Sequence, residues 1–333
     1  MGTAPARVGL LGHPSDGFGG RSLALAIPRF QAEVTLEPIR GGVEIVPGPA
    51  DGTSWPSLDD LAEQVDRYGY GSGAQLLAAT VRTFVDVARS IEHPIPGGVR
   101  LSYRTTIPRQ VGLGGSSALA VATLRALNAH YAMAVPDPVL ATLALRVETE
   151  QLGLAADLQD RVVQTYGGLV AMDFGPMEND ARFGTAHGRY EPEDPGLLPP
   201  LFLAYRPDAA GSSSWYHRRL RSRYDAGDPE TRALLHQLAG LAVEGRAALR
   251  WRNHARFGEL LAEGMELTAA LGPLPDRQVE LVDVAAELDL PAGFAGSGGA
   301  VVGAYREPDQ LDRLEPRYRR IGAEVVAITP YPV

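Results

Sequence analysis

The alternation of apolar and polar residues predicts a β-rich beginning to the chain. Short apolar runs indicate strands over Arg7–Gly12, Ser22–Ile27 and Ala32–Leu36. Apolar residues then recur every three and four positions over Gly73–Ile91, which predicts an amphipathic helix packed on a core. The alternating segment Val99–Ile107 predicts the next strand. We therefore expect the opening of the chain to build a sheet with a covering helix.

The remaining pattern mixes helices and strands. In chain order, it predicts helices over Ser117–Tyr131, Pro138–Leu152 and Ala156–Tyr166, strands over Leu169–Phe174 and Leu201–Tyr205, helices over Glu230–Trp251, Ala255–Leu271 and Arg277–Leu288, strands over Gly293–Ala295 and Ala300–Tyr305, a helix over Pro308–Ile321 and a strand over Ala323–Ile328. Residues Gly175–Pro200 are rich in proline, glycine and acids and show no period, so we predict a domain boundary there. The boundary divides residues 1–180 from residues 181–333.

Composition narrows the classes of function. A net charge of −9 argues against a nucleic-acid partner or a polybasic membrane surface, because both need an excess of cations. The chain has no cysteine, which excludes disulfides, thiolate nucleophiles and cysteine-ligated zinc. It also has no lysine, so P-loop NTPases, protein kinases and pyridoxal phosphate enzymes are excluded together. Because we find neither a signal-peptide pattern nor a long apolar run, we predict a cytoplasmic location without membrane contact.

A glycine-rich loop joins the strand that ends at Ile107 to the following helix. Gly112 to Ala118 reads Gly-Leu-Gly-Gly-Ser-Ser-Ala. Glycines let the backbone approach a ligand closely, and the N–H groups at a helix start carry partial positive charge, so the loop fits a phosphate cradle. A tight turn explains the same residues. The hydroxyls of Ser116 and Ser117 either cap the helix or meet a metal that bridges phosphates.

Two further motifs favour the phosphate cradle over the simple turn. Pro5–Asp16 reads PARVGLLGHPSD, and Gly293–Ala300 reads GFAGSGGA. Together with the loop, in this order, they resemble the three motifs of the GHMP kinases, a superfamily that includes galactokinase, homoserine kinase, mevalonate kinase and phosphomevalonate kinase. The resemblance implies an α+β, two-domain fold, with an N-terminal nucleotide domain of mixed sheet and helices and a ferredoxin-like α+β C-terminal domain. It also implies ATP and Mg²⁺ as cofactors.

Within the superfamily the chain resembles the glucuronokinases most. The segments that carry this likeness are Ile107–Ala118, Leu158–Val170 and Ser212–Asp228. The likeness implies phosphorylation of the anomeric hydroxyl of glucuronic acid to give glucuronate 1-phosphate. Two alternatives remain: a kinase acting on another sugar, such as galacturonate, arabinose or a heptose phosphate, and a non-catalytic sensor of sugar or nucleotide. A dinucleotide-binding oxidoreductase is disfavoured, because the loop is not G-x-G-x-x-G.

The resemblance assigns roles to individual residues. It implies Asp160 as the catalytic base, with Arg7 beside it, and Ser116 and Glu148 as magnesium ligands. It places ATP on the loop residues Gly112, Leu113, Gly114, Gly115, Ser116, Ser117 and Ala118. It places the acceptor on His13, Asp16, Gly296, Ser297, Gly298 and Arg161. Neither Glu150 nor Asp157 matches the family pattern, so we expect both on a solvated helix face.

Two positions depart from the galactokinase form of the first motif. His13 stands where glutamate is usual, and Gly9 stands where asparagine is usual. A uronate brings its own carboxylate, which a glutamate would repel and a neutral or cationic donor would favour. The arginine that pairs with this carboxylate stays open among Arg21, Arg104, Arg109 and Arg161.

The run Gly211–Ser214 is read as a linker or as a lid that brings His217 over the ligand. Sequence does not decide between a monomer and a homodimer.

Overall fold

The computed structural model describes residues 1–48, 51, 57, 72–206 and 213–328, in the last range with side chains from 218 onward. Its strands, in chain order, are β1 (Gly2–Leu11), β2 (Arg21–Ile39), β3 (Val43–Ile45), β4 (Gly98–Thr105), β5 (Leu169–Asp180), β6 (Thr185–Glu193), β7 (Leu201–Tyr205), β8 (Ala292–Phe294), β9 (Ala300–Ala304) and β10 (Glu324–Ile328). Its α-helices are α1 (Gly73–Ser90), α2 (Gly115–Tyr131), α3 (Asp137–Arg146), α4 (Gln159–Tyr166), α5 (Ser213–Asp225), α6 (Pro229–Arg250), α7 (His254–Leu271), α8 (Asp276–Ala286) and α9 (Pro308–Arg320).

The first sheet is built around the long strand β2. Along the described chain its order is β3-β4-β2-β5-β6, with β1 paired to β2. The β1–β2 register shifts between Pro5 and Ala6, opposite residues 28–30. This irregularity admits Pro28, which cannot donate to a ladder, so two predicted strands form one continuous element. Helix α2 packs under this sheet and is buried almost all round, as its alanine- and leucine-rich sequence requires.

The second sheet has the order β10-β7-β9-β8, with antiparallel neighbours. Numbered within this half, the order is 4-1-3-2 and the helices fall between the first and second and between the third and fourth strands. This is the β-α-β-β-α-β arrangement of a ferredoxin-like unit, which confirms the predicted α+β class and its C-terminal part. Helix α6 packs back onto β1 and β2, so one apolar core runs between the two halves.

The predicted aperiodic region contains a β-hairpin. Strand β5 continues to Asp180, and β6 adds Thr185–Glu193 to the edge of the first sheet. Arg246 of α6 donates to Glu193 over 2.5 Å and also pairs with Glu191, which ties this edge to the second half. Proline and glycine inside the hairpin hid its period from the sequence. The division at 180/181 stays a prediction, and the hairpin lies on both sides of it.

The predicted helix Pro138–Leu152 has two parts. Helix α3 ends at Arg146, and residues Val147–Gln151 continue as a π-helical turn. Such a wider turn leaves hydrophobic periodicity almost unchanged, so sequence did not indicate it. The turn carries Glu148, whose position matters for the site described next.

Candidate active site

The glycine loop leaves the start of α2 open. Gly114 lies before the helix with φ +73°, and no side chain caps the helix start. The Ser117 hydroxyl donates instead to the Gly114 carbonyl over 3.0 Å, and Gln164 Nε2 donates to the same oxygen over 2.7 Å. The capping role considered for the two serines is therefore wrong, because Ser116 also bonds elsewhere. Several backbone N–H groups at this helix start remain available to an anion.

The loop packs directly on the C-terminal glycine motif. A Cβ added at Gly112, where φ is +75°, would lie 2.7 Å from the Gly298 carbonyl oxygen and 3.2 Å from the Ser297 backbone nitrogen. A Cβ at Gly296 would lie 2.5 Å from Nη1 of Arg7. Both positions need glycine because two backbones and a guanidinium share the space. The structure thus brings Gly296, Ser297 and Gly298 against the loop.

Arg7 connects all three motifs through its buried guanidinium. Its Nε donates to Oδ1 of Asp160 over 2.6 Å. Its Nη1 donates to the carbonyl oxygens of Gly112 and Ala295 over 2.6 and 2.7 Å. Only 5% of Arg7 is exposed, so these contacts are shielded from water and correspondingly strong. The two predicted catalytic residues are in direct contact, at the point where the loop meets the C-terminal motif.

Glu148 lies beneath the loop with both carboxylate oxygens engaged. Ser116, which is exposed, donates its hydroxyl to Oε1 over 2.7 Å, and Arg161 pairs with Oε2. Glu148 itself is 3% exposed. The side-chain oxygens of the two predicted metal ligands, Ser116 and Glu148, are therefore already next to each other. The guanidinium of Arg161 occupies the other oxygen of the Glu148 carboxylate.

Arg161 is itself buried among charged groups. Besides Glu148, its Nη1 donates to the Asp157 carbonyl over 2.6 Å and lies 3.7 Å from Oδ2 of Asp160. Burial is the main cause that lowers the pKa of the Arg161 guanidinium to about 9. The charge of Arg7 acts in the same direction, and the carboxylate of Asp16 in the opposite one. Arg161 therefore stays a cation at neutral pH.

Two residues predicted to hold the acceptor, Asp16 and His13, are largely withdrawn from solvent. Asp16 lies in a 3₁₀ turn over Ser15–Phe18 and is 8% exposed. His13 is half-buried, and a Cβ added at Gly9 would lie 2.8 Å from its Nδ1 and 3.1 Å from Oε1 of Gln159. Gln159 is 3% exposed and its Nε2 has no hydrogen-bond partner among the described residues. The sequence drew no attention to Gln159, although it directly precedes Asp160.

The candidate arginines for an acceptor carboxylate lie in different surroundings. Arg21 pairs with Asp173 over 2.7 Å, and Arg104 pairs with Glu33 over 2.6 Å. Arg109 lies near Tyr103, whose pKa is raised mainly by burial. Arg161 contacts both Glu148 and Asp160.

A further arginine, Arg221 of α5, contacts the 3₁₀ turn Ser15–Phe18, which carries Asp16. The Arg221 guanidinium lies over the ring of Phe18, 4.2 Å from its centroid, and donates to the carbonyl of Gly17. Phe18 in turn packs on Tyr224, with ring centroids 4.7 Å apart. Among the described residues no carboxylate pairs with Arg221. The arginine-rich run after residue 217 was the available signal, but it could not single out which arginine faces the site.

The lid hypothesis falls partly outside the described residues. Residues 211 and 212 and the His217 side chain are not among them, while the backbone of 213 and 214 begins α5. Elsewhere, Glu150 is exposed and pairs with Arg146 as expected for a solvated face. For Asp157 the expectation is wrong: it lies in the segment before α4 and not on a helix, it is half-buried, and a Cβ added at Gly17 would collide with its carboxylate.

Within the described residues, no helix is both long enough and apolar enough to span a bilayer. In the same part of the chain, no group of three or more histidine or acidic side chains is placed to hold a metal ion.

Known proteins resemble this chain in sequence and fold. Family models match two stretches: the GHMP kinases N terminal domain over residues 82–168, and the GHMP kinases C terminal domain over residues 246–323. Glucuronokinase 1 of Arabidopsis thaliana is 38% identical over 325 residues, or 95% of this chain and 88% of that protein. Probable glucuronokinase 2 of the same plant is 37% identical over 98% of this chain and 90% of its own length. The crystal structure of Lactococcus lactis galactokinase complexed with galactose superposes with a TM-score of 0.75 at 15% identity, covering 99% of this chain and 92% of that one.

Proposed function

The chain belongs to the GHMP kinases, and we propose that it is an ATP-dependent sugar kinase that phosphorylates the anomeric hydroxyl of glucuronate. The product is glucuronate 1-phosphate. The observation that carries the catalytic part is the contact between Arg7 and Asp160 at the junction of the glycine loop and the C-terminal motif. The extended similarity to the two plant glucuronokinases supports the choice of acceptor.

In this proposal Asp160 accepts the proton of the anomeric hydroxyl as that oxygen attacks the γ-phosphorus of ATP. The new bond is between the sugar oxygen and phosphorus, the bond to the β-phosphate oxygen breaks, and ADP leaves. Oδ1 of Asp160 is taken by Arg7, so the proton goes to Oδ2. Arg7 keeps the carboxylate oriented and offsets negative charge that develops on the transferred group.

The nucleotide phosphates lie on the glycine loop and the open start of α2 in our proposal. Gly112 and Gly114 have positive φ, which turns the backbone N–H groups towards one side of the loop. Leu113 is buried and anchors the loop, with Ala118 buried in the first turn of α2. Backbone donors give an anion site that needs no lysine, in keeping with the composition.

Magnesium fits the oxygens beside this loop. Ser116 and Glu148 supply a hydroxyl and a carboxylate whose oxygens are 2.7 Å apart, and Mg²⁺ in kinases commonly takes only one or two protein ligands besides phosphates. We propose that these two residues hold it. When bound, the ion neutralises phosphate charge and polarises the transferred group.

The acceptor carboxylate needs a cationic or neutral surrounding. Asp16, Asp157, Asp160 and Glu148 outnumber Arg7 and Arg161, so a uronate enters a region that is already negative. We propose that His13 and Arg221 meet its carboxylate, while Asp16 and the backbone at Gly296–Gly298 hold its hydroxyls. Arg161 was a candidate for the carboxylate, but its pairing with Glu148 supports another role, argued below.

The decisive experiment measures ADP release by the purified full chain with ATP, Mg²⁺ and a panel of glucuronate, galacturonate, glucose and arabinose. Phosphorus NMR of the product identifies the phosphorylated carbon. We expect glucuronate to exceed glucose by ~10³-fold, because donors built for a carboxylate stay unpaired with a neutral arm. A preference for a neutral sugar would reject glucuronate and keep the kinase. ATP binding without turnover on any sugar would favour the sensor.

The remaining expectations concern the location of the protein in the cell, its oligomeric state and its partners. We keep the predictions of a cytoplasmic location, of a monomer or homodimer, and of no nucleic-acid or membrane partner. The acidic composition supports the absence of a nucleic-acid or membrane partner, and the lack of a signal-peptide pattern and of a long apolar run supports the location. Light scattering measures the assembly, and fractionation measures the location.

A further inference from the structure

Arg161 joins two carboxylates to which the proposed function gives different tasks. It pairs with Glu148, the proposed metal ligand, and lies 3.7 Å from Oδ2 of Asp160, the proposed base. Arg161 is 4% exposed, so water does not screen these charges. A buried arginine at the centre of the site, in contact with protein groups on most sides, has no surface through which to grip a sugar.

The hydrogen bonding of Arg161 is also incomplete. Its Nη1 and Nη2 are bonded to Asp157 and Glu148, but its buried Nε has no hydrogen-bond partner among the described residues. A buried donor without a partner carries a free-energy cost, which native structures usually avoid. The arrangement in the free protein is therefore not the one that satisfies this side chain best.

We propose that Arg161 is the internal counter-ion of Glu148 in the nucleotide-free protein, and that it keeps a divalent cation from binding there before the nucleotide. The inference rests on the proposed function, because it takes Glu148 as the metal ligand. A metal ion arriving alone at Oε1 of Glu148 meets the buried positive charge of Arg161, which pairs with Oε2 of the same carboxylate, and the charge of Arg7 nearby. Adding a further cation beside a carboxylate that a buried guanidinium already neutralises is unfavourable.

The nucleotide removes this obstacle. Its phosphates add negative charge next to the loop, which offsets the repulsion between the metal ion and the guanidinium. Arg161 keeps its bond from Nη1 to the Asp157 carbonyl, so Oδ2 of Asp160 stays available for the proton in the proposed mechanism. Arg161 is thus a positioning residue, and its effect is on the order in which metal and nucleotide bind.

The test measures Mn²⁺ binding without nucleotide or sugar, by the loss of the free-ion EPR signal and by the Mn²⁺-dependent shift in Tm. We compare the wild type with Arg161→Met, with Arg161→Gln, which keeps a neutral donor for Glu148, and with Arg161→Met/Glu148→Gln. Both single variants should bind Mn²⁺ about tenfold or more tightly than the wild type and gain Tm with it. The double variant should lose both gains.

Arg21→Met is the matched control, because it also removes an arginine paired with a carboxylate, here Asp173. It should leave Mn²⁺ affinity unchanged. If Arg161→Met does not fold without metal, Arg161→Gln carries the comparison. Equal Mn²⁺ affinity in the wild type and Arg161→Gln, or a gain that persists in the double variant, overturns the proposal.

These measurements contain no acceptor and no turnover. Failure of the sugar panel would therefore leave the Mn²⁺ result intact, and a negative Mn²⁺ result would leave glucuronate phosphorylation intact.

Discussion

Gly9 and His13 share one space in the acceptor side of the site, since a Cβ at Gly9 would lie 2.8 Å from Nδ1 of the histidine. These are the two positions at which the first motif departs from the galactokinase form. The departures are therefore coupled: the missing side chain at position 9 makes room for the ring at position 13. The pair, and not His13 alone, shapes the acceptor pocket in our proposal.

Gly9→Ala should raise the KM for glucuronate about tenfold with a smaller effect on kcat, because the methyl group displaces the imidazole ring. Steady-state kinetics with varied glucuronate measures this. His13→Ala should remove the closest contact of the added methyl group and leave only the one with Gln159, so the two substitutions should not be additive. Gly240→Ala, on an open face of α6, is the matched control and should leave KM unchanged. Additive effects of the two site variants would reject the coupling.

Asp160→Asn should lower kcat by roughly 10²-fold or more while leaving the fold and ATP binding in place, because the amide cannot accept the proton. Circular dichroism and nucleotide titration provide the checks on fold and binding. Glu150→Gln also removes an acid from this region, but its side chain is exposed and pairs only with Arg146 among the described residues. It should keep full activity. A near wild-type rate for Asp160→Asn would remove Asp160 from the base role.

Gly114→Ala and Gly115→Ala should behave differently. A Cβ at Gly114 would lie 2.6 Å from Nε2 of Gln164 at φ +73°, a region that costs an L-residue about 1–2 kcal/mol. At Gly115 the new Cβ would meet only Ile107, at 3.6 Å.

Gly114→Ala should lower Tm and weaken ATP binding, whereas Gly115→Ala should change both little. Scanning calorimetry measures the Tm, and titration calorimetry measures the ATP affinity. Sequence suggested that both glycines leave space for phosphates, so equal losses from the two variants would favour that simpler view.

The three motifs could be read from residue type and spacing, and the family resemblance that they support implied the Arg7–Asp160 pair. The sequence did not indicate β6, because proline and glycine obscure its period. It did not indicate the π turn at Val147–Gln151 either, because a single wider turn hardly alters the period. It also missed that Glu148 pairs with Arg161 and that α5 approaches Gly17. Both contacts join residues far apart in sequence or on different elements, and only the folded backbone sets their distance.

Arg221→Met should raise the KM for glucuronate roughly 10- to 100-fold, the loss typical of a charge-assisted hydrogen bond, and should leave the weak rate on glucose nearly unchanged. Methionine keeps the apolar contact with Phe18. Arg232 offers a matched control, since it also lies over an aromatic ring, that of Tyr224 at 5.1 Å, and donates to a backbone carbonyl. Arg232→Met should not change KM. A parallel loss on glucose would mean that Arg221 only holds the turn.

The bonds from Arg7 Nη1 to Gly112 and Ala295 complete the proposed active site only in the finished chain. During synthesis the glycine loop leaves the ribosome long before the second carbonyl exists. Until the C-terminal sheet has formed, the Arg7 guanidinium lacks one of its two backbone acceptors, and the loop lacks the glycine motif against which it packs. In our proposal, phosphoryl transfer therefore requires the folded C-terminal half, and a nascent chain does not consume ATP.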